Sequence, residues 1–101
     1  MVAKEDANDL PVKNQQRWLV YMIQTQSGKL YTGITTNLER RFRQHSGAIK
    51  GGARFFHMDP AASIVFQEDS ENRSEATRRE MKIKKLTRRH KLLLIAAYSK
   101  A

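Results

Sequence analysis

Two tyrosines, an arginine and a histidine follow one another closely in the first half of the chain. Tyr21 and Tyr31 lie ten residues apart, and Arg41 and His45 lie four residues apart shortly after them. A guanidinium can hold a phosphate through two parallel hydrogen bonds and offset the charge that builds on it in a transition state. A phenol or an imidazole can take up or deliver a proton. Side chains of these types, held together, could attack a phosphodiester.

Each of these residues also has a plain structural interpretation. Arg41 could lie at the edge of the core with its aliphatic stem buried. A histidine on an apolar helix face, such as His45, is more often a hydrogen-bonded core residue than a catalyst. An unperturbed phenol, with a pKa of about 10, is a poor base at neutral pH, so a nearby cation or metal-bound water would have to ease proton removal. The order of the residues, rather than any one of them, indicates a site.

Glu80 stands out among the carboxylates because it falls in an apolar stripe of a predicted helix. Ala76, Ile83 and Thr87 form that stripe, and a carboxylate buried there without a partner would be costly. One possible partner is Lys84, four residues on, in an ordinary ion pair within the helix. The other is a hard divalent cation, which prefers oxygen ligands and keeps several waters where carboxylates are few. The residues alone leave both interpretations open.

The segments around the two tyrosines predict a β-hairpin, since the apolar runs Trp18–Ile23 and Leu30–Ile34 flank a glycine-containing turn. A two-residue turn would place the tyrosines on opposite faces of the sheet, because successive strand residues alternate. A three-residue loop, Gln26–Gly28 with a left-handed glycine, would pair Thr25 with Lys29 and place both tyrosines on one face. We predict the three-residue loop.

An arginine-rich helix is predicted after the hairpin. We expect it to start near Thr36, which fits a capping box with Glu39. At about 100° per residue, one stripe of this helix faces the core, and Arg41 lies on its edge. The residues of that stripe are Leu38, Phe42, His45 and Ile49. The residues pointing the other way are Arg40, Arg43 and Gln44.

The rest of the chain predicts a loop, one more strand and two more helices. The glycine-rich basic segment 46–53 is the loop, and Ser63–Gln67 is the strand. Asn72 or Ser74 is expected to cap a second helix that runs to about residue 86. Thr87 is expected to cap a third helix that continues to the C-terminus.

This order of elements predicts an α+β fold, a small three-stranded antiparallel sheet flanked by helices. We expect a flexible N-terminal tail over residues 1–14, which lack periodicity. Residues 15–101 are then expected to form a single domain with a modest core.

Charge and composition narrow the class of protein. The chain has 19 lysines and arginines against 10 acidic residues, a formal net charge of +9, and such an excess favours polyanions, above all nucleic acid. An acidic protein or a membrane surface stays open as an alternative partner. No cysteine is present, which excludes disulfides, thiolate zinc sites and a cysteine nucleophile. Residues 1–14 are polar and lack the apolar core of a signal peptide, so we expect a cytoplasmic protein.

Several short blocks of the sequence resemble the GIY-YIG nuclease superfamily. Leu19-Val20-Tyr21 and Tyr31-Thr32-Gly33 are similar to its two signature triplets, with the tyrosines and the last glycine kept. The block from Thr36 to His45 and the block from Ala76 to Leu86 resemble the later family motifs. The resemblance covers about residues 17 to 97, and it is closest to the small stand-alone bacterial members of YhbQ type.

The resemblance implies a GIY-YIG endonuclease fold and a role for each residue. Tyr21 and Tyr31 would position and deprotonate the attacking water, with either one as the base. Arg41 would bind the scissile phosphate, and His45 would support the site as a further proton-transfer or hydrogen-bonding group. Glu80 would be the sole protein ligand of one Mg²⁺ or Mn²⁺ ion. The second-triplet glycine, Gly33, would keep its strand open beside the metal.

The implied activity is metal-dependent hydrolysis of DNA by an endonuclease with weak sequence selectivity or a preference for DNA structure, in DNA repair or processing. DNA is favoured over RNA, and a protein partner could target the enzyme. Basic side chains would contact phosphates without reading bases. The residues expected to do so are Arg40, Arg43, Lys50, Arg54, Lys82, Lys85, Arg88 and Arg89. The alternatives are a non-catalytic DNA- or RNA-binding module that retains the fold, and a basic adaptor that docks on an acidic protein.

Overall fold

The computed structural model describes residues 17–100, which form three strands and three α-helices. In chain order the elements are β1 (Trp18–Thr25), β2 (Leu30–Thr35), α1 (Leu38–His45), a short 3-10 helix (Arg54–Phe56), β3 (Ala61–Ser70), α2 (Arg73–Lys84) and α3 (Arg88–Lys100). This α+β architecture confirms the predicted fold class. The predicted flexible tail, residues 1–14, lies outside the described residues.

The strands form one antiparallel sheet in the order β2-β1-β3. Strand β1 is central, and helices or loops cover both of its faces, which explains why its residues Val20–Ile23 are all apolar or aromatic and at most 1% exposed. The third strand is longer than the predicted Ser63–Gln67. Its polar end pairs with the start of β1, as Glu68 does with Val20, because an edge strand can bond through its backbone while its side chains face solvent.

The two faces of the sheet carry different cores. On the first, Val20 and Met22 pack with Phe66 and with Ala76 and Ile83 of α2, and we call this the aliphatic face. On the other, Tyr21 and Ile23 pack with Leu38, Phe56 and Ala61, and we call this the aromatic face. Because side chains alternate along a strand, neighbouring residues of β1 enter different cores.

The hairpin has the predicted three-residue loop. The backbone N–H of Thr25 donates to the carbonyl of Lys29 at 2.9 Å, and Gly28 has a φ of +98°. In this register Tyr21 lies opposite Gly33, and Ile23 lies opposite Tyr31. Directly opposed residues share a face, so both tyrosines lie on the aromatic face, and the prediction is confirmed.

The Asp59 carboxylate fixes the turn in place. It accepts hydrogen bonds from the hydroxyl of Thr25 at 2.7 Å and from the hydroxyl of Ser27 at 2.6 Å. It also accepts the backbone N–H of Ser27 at 3.1 Å. The hydroxyl of Ser27, above all, holds the pKa of Asp59 below its ordinary value. The hairpin tip is thereby joined to the segment that leads into β3.

The predicted cap of the first helix was wrong. Asn37, not Thr36, is the N-cap, and its side-chain oxygen accepts the backbone N–H of Arg40 at 3.1 Å. Asparagine caps at least as well as threonine, so the adjacent residue displaced the expected one. The helix ends at His45, which leaves Ile49 outside it and 39% exposed. Ile49 is therefore not part of the core stripe.

The other two caps follow the sequence. Asn72 accepts the backbone N–H of Glu75 at 2.9 Å, which decides between the two residues expected to cap α2. The hydroxyl of Thr87 accepts the backbone N–H of His90 at 3.2 Å at the start of α3. The second helix ends at Lys84, two residues before the predicted end. Between residues 17 and 100, no helix is long and apolar enough to cross a membrane.

Candidate active site

The aromatic face brings Tyr21, Tyr31 and His45 together. The hydroxyl oxygen of Tyr21 lies 2.9 Å from Nε2 of His45, across 24 residues of sequence. The ring of Tyr31 lies 5.2 Å from the His45 ring and 6.3 Å from the Tyr21 ring, centroid to centroid. Tyr21 and His45 are each 1% exposed, whereas Tyr31 is partly exposed. The site is thus a buried hydrogen-bonded pair with a more accessible phenol beside it.

A backbone contact decides which nitrogen of His45 carries the proton. The N–H of Ala53 donates to Nδ1 of His45 at 3.2 Å, so Nδ1 is an acceptor. A neutral imidazole then carries its hydrogen on Nε2, where it is donated to the oxygen of Tyr21. Burial lowers the pKa of His45 to about 4, and the charge of Arg41 adds to the effect. At neutral pH His45 is therefore an uncharged, fixed donor to the phenol.

The surroundings of Tyr21 act on its pKa in both directions. Burial raises the pKa of the phenol to about 12, and Tyr31 adds to the rise. A hydrogen bond from Arg41 and its positive charge lower the pKa, while the negative charge of Glu80 raises it. The charges of Arg41 and Glu80 therefore act on the pKa of the same phenol, in opposite directions. Removal of its proton at neutral pH needs more positive charge than the described side chains supply.

Gly33 makes room for the Tyr21 ring. A Cβ atom built on Gly33 would lie 2.5 Å from the hydroxyl oxygen of Tyr21 and 2.7 Å from the adjacent ring carbon. Such distances are too short for any side chain unless the ring moves. The sequence suggested that Gly33 keeps the strand open beside a metal, but the neighbour that occupies the space is the opposite tyrosine.

Arg41 is half-buried at the edge of the site, as predicted. Its Nη1 donates to the side-chain oxygen of Gln44 at 2.6 Å and to the carbonyl oxygen of Gly51 at 2.8 Å. Gln44 was expected to point away from the core with the solvent-facing arginines, but it contacts Arg41 and the loop instead. The helical spacing of three residues puts the two side chains side by side. Segment 46–53 is therefore joined to both Arg41 and His45.

Glycines let this segment approach α1 closely. A Cβ atom on Gly52 would clash with the carbonyl oxygen of Gln44, and Gly51 has a φ of +111°. Residues with side chains cannot make the first approach and rarely adopt the second conformation. The glycines that predicted a loop from the sequence therefore allow segment 46–53 to pack closely against α1.

Glu80 lies on α2 with its side chain 18% exposed, and Nζ of Lys84 lies 3.2 Å from its carboxylate. The ordinary ion pair is therefore formed, although the lysine side chain is 53% exposed and such pairs contribute little. From residue 17 to residue 100, no group of three or more histidine, cysteine or acidic side chains could hold a metal ion. Any cation here would depend on Glu80, waters and substrate oxygens, a set that suits Mg²⁺.

The basic residues expected to contact phosphates are all exposed. Arg88 donates to the carbonyl oxygen of Gly28 at 3.1 Å, and Arg43 pairs with Glu39 at 3.5 Å. The others, at the surface of α1, the loop, α2 and the start of α3, are Arg40, Lys50, Arg54, Lys82, Lys85 and Arg89.

Sequence reasoning missed four residues around the site. Phe56 packs on the His45 ring at 4.1 Å, and Phe55 packs on the Tyr31 ring at 5.3 Å, between ring centroids. The backbone N–H of Ala53 donates to His45. The side-chain oxygen of Gln44 accepts from Arg41. The paired phenylalanines were a visible signal, because two adjacent aromatics after a glycine-rich segment rarely both face solvent. No sequence signal marks a backbone donor such as that of Ala53.

Several known proteins are similar to this chain in sequence or in fold. A family model described as the GIY-YIG catalytic domain matches residues 17–92. A UPF0213 protein of Desulfotalea psychrophila is 40% identical over 90 residues, which cover 89% of this chain and 81% of that protein. UPF0213 protein YhbQ of Escherichia coli K12 is 42% identical over 79 residues, covering 78% and 77%. The solution NMR structure of a UPF0213 protein from Bacillus halodurans superposes with a TM-score of 0.51 at 31% identity, over 80% of this chain and 84% of that one.

Proposed function

The chain belongs to the GIY-YIG catalytic domain family, and from that premise we propose that it is a metal-dependent endonuclease that hydrolyses phosphodiester bonds in DNA. It would cut with weak sequence selectivity or with a preference for DNA structure, in DNA repair or processing. The net charge of +9 and the exposed basic side chains support binding to a nucleic acid backbone.

The observation that carries the proposal is the buried contact between Tyr21 and His45, and the charges of Arg41 and Glu80 both affect the pKa of this phenol. Burying polar groups is costly unless they are paired, and the exclusion of a side chain at Gly33 adds a further constraint. A surface that only bound nucleic acid would need the basic residues but not this arrangement.

Each side chain has a separate role in the proposed hydrolysis. A water oxygen bonds to phosphorus as the bond to the leaving oxygen breaks, and the leaving oxygen takes up a proton from solvent. Tyr21 or Tyr31, after losing its own phenolic proton to solvent, orients the water and accepts its proton. His45 donates to the Tyr21 oxygen and stabilises it when it is negative, and Arg41 binds the phosphate and offsets its developing charge.

Glu80 is the residue that would hold a Mg²⁺ or Mn²⁺ ion. Its side chain is mostly buried, its negative charge raises the pKa of Tyr21, and its partner Lys84 is exposed enough to move away. When bound, the ion would supply a Lewis acid that stabilises charge on the phosphate and the leaving oxygen. The positive charge would also favour deprotonation of Tyr21, against the burial that raises its pKa.

A non-catalytic DNA- or RNA-binding module is the second candidate. Two observations favour it: Nη1 of Arg41 is engaged by Gln44 and Gly51, and burial raises the pKa of Tyr21 to about 12. In that case the aromatic face would be only a structural core, and the basic surface alone would bind nucleic acid.

Cleavage of labelled DNA and RNA, with Mg²⁺, with Mn²⁺ and with EDTA, tests the proposal. We expect metal-dependent cleavage that falls by at least about 100-fold in Glu80→Gln, the magnitude typical for loss of a charge-stabilising group. Binding measured in EDTA should stay within about twofold, because Glu80 would contact the ion rather than the DNA backbone.

The matched control is Glu75→Gln, on the same helix. Glu75 is exposed and pairs with Arg78 at 2.6 Å, so its loss should leave cleavage unchanged. Cleavage that survives Glu80→Gln would overturn the assignment of Glu80. Binding without cleavage on every substrate would favour the non-catalytic module.

A further inference from the structure

One exposed aromatic ring continues the buried aromatic cluster to the surface. Phe55 is 42% exposed, and its ring packs on Tyr31 and on Phe56, each at 5.3 Å between centroids. Tyr31 in turn lies against His45 at 5.2 Å. An isolated exposed apolar side chain is common on protein surfaces and needs no functional explanation. Phe55 is different because its ring packs directly on Tyr31, a proposed catalytic residue.

The free side of Phe55 faces a shallow groove between the hairpin turn and the start of α3. The residues lining the groove are Lys29, Leu30, Phe55, Arg88 and Lys91. Three of these five are cationic, and none is acidic. An aromatic face beside several cations is the combination that single-stranded nucleic acids use, with the base stacked on the ring and the phosphates near the charges.

The groove is held in shape by contacts outside it. Arg88 donates to the carbonyl oxygen of Gly28 at 3.1 Å, which ties α3 to the hairpin turn. Asp59 holds the same turn through hydrogen bonds from Ser27. Phe55 itself is supported by two neighbouring rings. A preformed site of this kind loses little entropy when a ligand binds.

We propose that this groove binds one unpaired nucleotide next to the scissile phosphate, with its base stacked on Phe55 and its phosphates near Lys29, Arg88 and Lys91. The inference rests on the proposed function, because contact between Phe55 and Tyr31 links the groove to the cleavage site. Bases inside a continuous duplex are stacked on one another and offer no free face. The substrate class is therefore DNA with unpaired nucleotides at the cut, such as a flap, a gap or a single strand.

The test is binding of fluorescent oligonucleotides in EDTA, so that no cleavage is required. We compare a single strand, a flap and a blunt duplex of equal length, for wild type and for Phe55→Ala. Loss of one base stack weakens binding by about 5- to 150-fold, and we expect a loss in this range for the single strand and the flap. Binding to the duplex should change less than about twofold, since its contacts are electrostatic.

Two variants control for folding. Phe55→Trp keeps an aromatic face and should restore binding, and its added tryptophan fluorescence should be quenched by the single strand but not by the duplex. Met58→Ala removes an apolar side chain that is 95% exposed in the same segment, and it should leave binding unchanged. Equal losses on all three DNAs in Phe55→Ala, or no quenching in Phe55→Trp, would overturn the proposal.

The two proposals fail separately. One outcome is that single-strand binding depends on Phe55 but no substrate is cleaved with either metal. That outcome would support the nucleotide-binding groove and overturn the proposed nuclease activity. If cleavage is found but is indifferent to Phe55 and to unpaired nucleotides, the nuclease stands and the groove fails. Binding of polyglutamate with the same dependence on Phe55 would overturn the nucleotide site in favour of a surface for acidic proteins.

Discussion

Neighbouring residues of strand β1 belong to two cores that are built differently. Val20 and Met22 enter the aliphatic face, where α2 and α3 cover them with Ile83 and other apolar side chains. Tyr21, between them, enters the aromatic face, where its oxygen accepts a hydrogen bond from His45. The aliphatic face is stabilised by non-directional burial of apolar side chains, which tolerates substitutions between apolar residues of similar volume. The other depends on atoms placed to within a few tenths of an ångström.

The difference suggests a division of labour across the sheet. The aliphatic face should determine whether the chain folds, and the aromatic face should determine whether the folded chain reacts. The two cores share the backbone of β1, so the site is positioned by a strand that is anchored on its opposite side. The following variants test this division.

The largest expected effect is that of removing a hydroxyl group from the aromatic face. Tyr21→Phe should lower the rate of metal-dependent cleavage by about 10²- to 10⁴-fold, the range for a proton-transfer group. Its free energy of unfolding should fall by about 1–3 kcal/mol, because the Nε2–H of His45 is left buried without an acceptor. Single-turnover cleavage and denaturant unfolding measure the two quantities.

Tyr98→Phe is the matched control on the aliphatic face. The Tyr98 ring packs on Phe66 at 5.5 Å, and its hydroxyl accepts from Gln67 at 3.2 Å. Removal of this hydroxyl should leave cleavage unchanged. Equal loss of activity in both variants would contradict the division between the faces.

A core deletion on the aliphatic face should have the opposite effect. Ile83 is 0% exposed, and Ile83→Ala should lower the free energy of unfolding by about 2–5 kcal/mol through lost burial and the cavity left behind. Cleavage per folded molecule should be unchanged when measured well below the melting temperature. Leu93→Ala, at a residue that is 55% exposed, serves as the control. A cleavage rate per folded molecule that fell with stability would show that the two faces are coupled.

The pH dependence of stability should arise largely from the aromatic face in mildly acidic solution. Burial lowers the pKa of His45 from 6.5 to about 4, so the unfolded chain binds this proton at a higher pH than the folded chain does. Stability from the neutral imidazole is therefore present above pH 6.5 and is lost as the pH falls towards 4, by about 3 kcal/mol in total. Denaturant unfolding at a series of pH values measures it.

His45→Gln should flatten the curve in that window, because it removes the titrating group. His57→Gln, at an exposed residue, should keep the slope of the wild type. An unchanged slope in His45→Gln would mean that other groups carry the acid sensitivity. Asp59 titrates below this window, since hydrogen bonds depress its pKa.

Local sequence patterns predicted much of the fold because the interactions that form the hairpin and the helix caps connect residues that are close in the sequence. The hairpin register follows from the alternation of strand residues and from a glycine that can adopt a positive φ. The caps at Asn72 and Thr87 follow from side chains that reach a backbone N–H three residues on. The cap at Thr36 was misplaced by one residue, because Asn37 beside it is an equally good cap.

The site was harder to predict where its contacts are long in sequence or involve the backbone. Arg41 was placed at the edge of the core, yet its bond to the carbonyl of Gly51 has no signature in residue type. The tautomer of His45 depends on the backbone of Ala53. The exposure of Phe55 beside the buried Phe56 depends on which ring the 3-10 helix turns inwards.

The sequence by itself determined the residue types at the candidate site, the two tyrosines on one face of a hairpin and the excess of positive charge. These properties are local or additive, so periodicity, turn chemistry and composition are enough to find them. Only the tertiary structure decided that His45 is a neutral donor to Tyr21, that Gly33 accommodates the tyrosine ring and that Phe55 lines a basic groove beside Tyr31. Those properties depend on burial and on distances between segments, which arise only when the sheet and its two cores have formed.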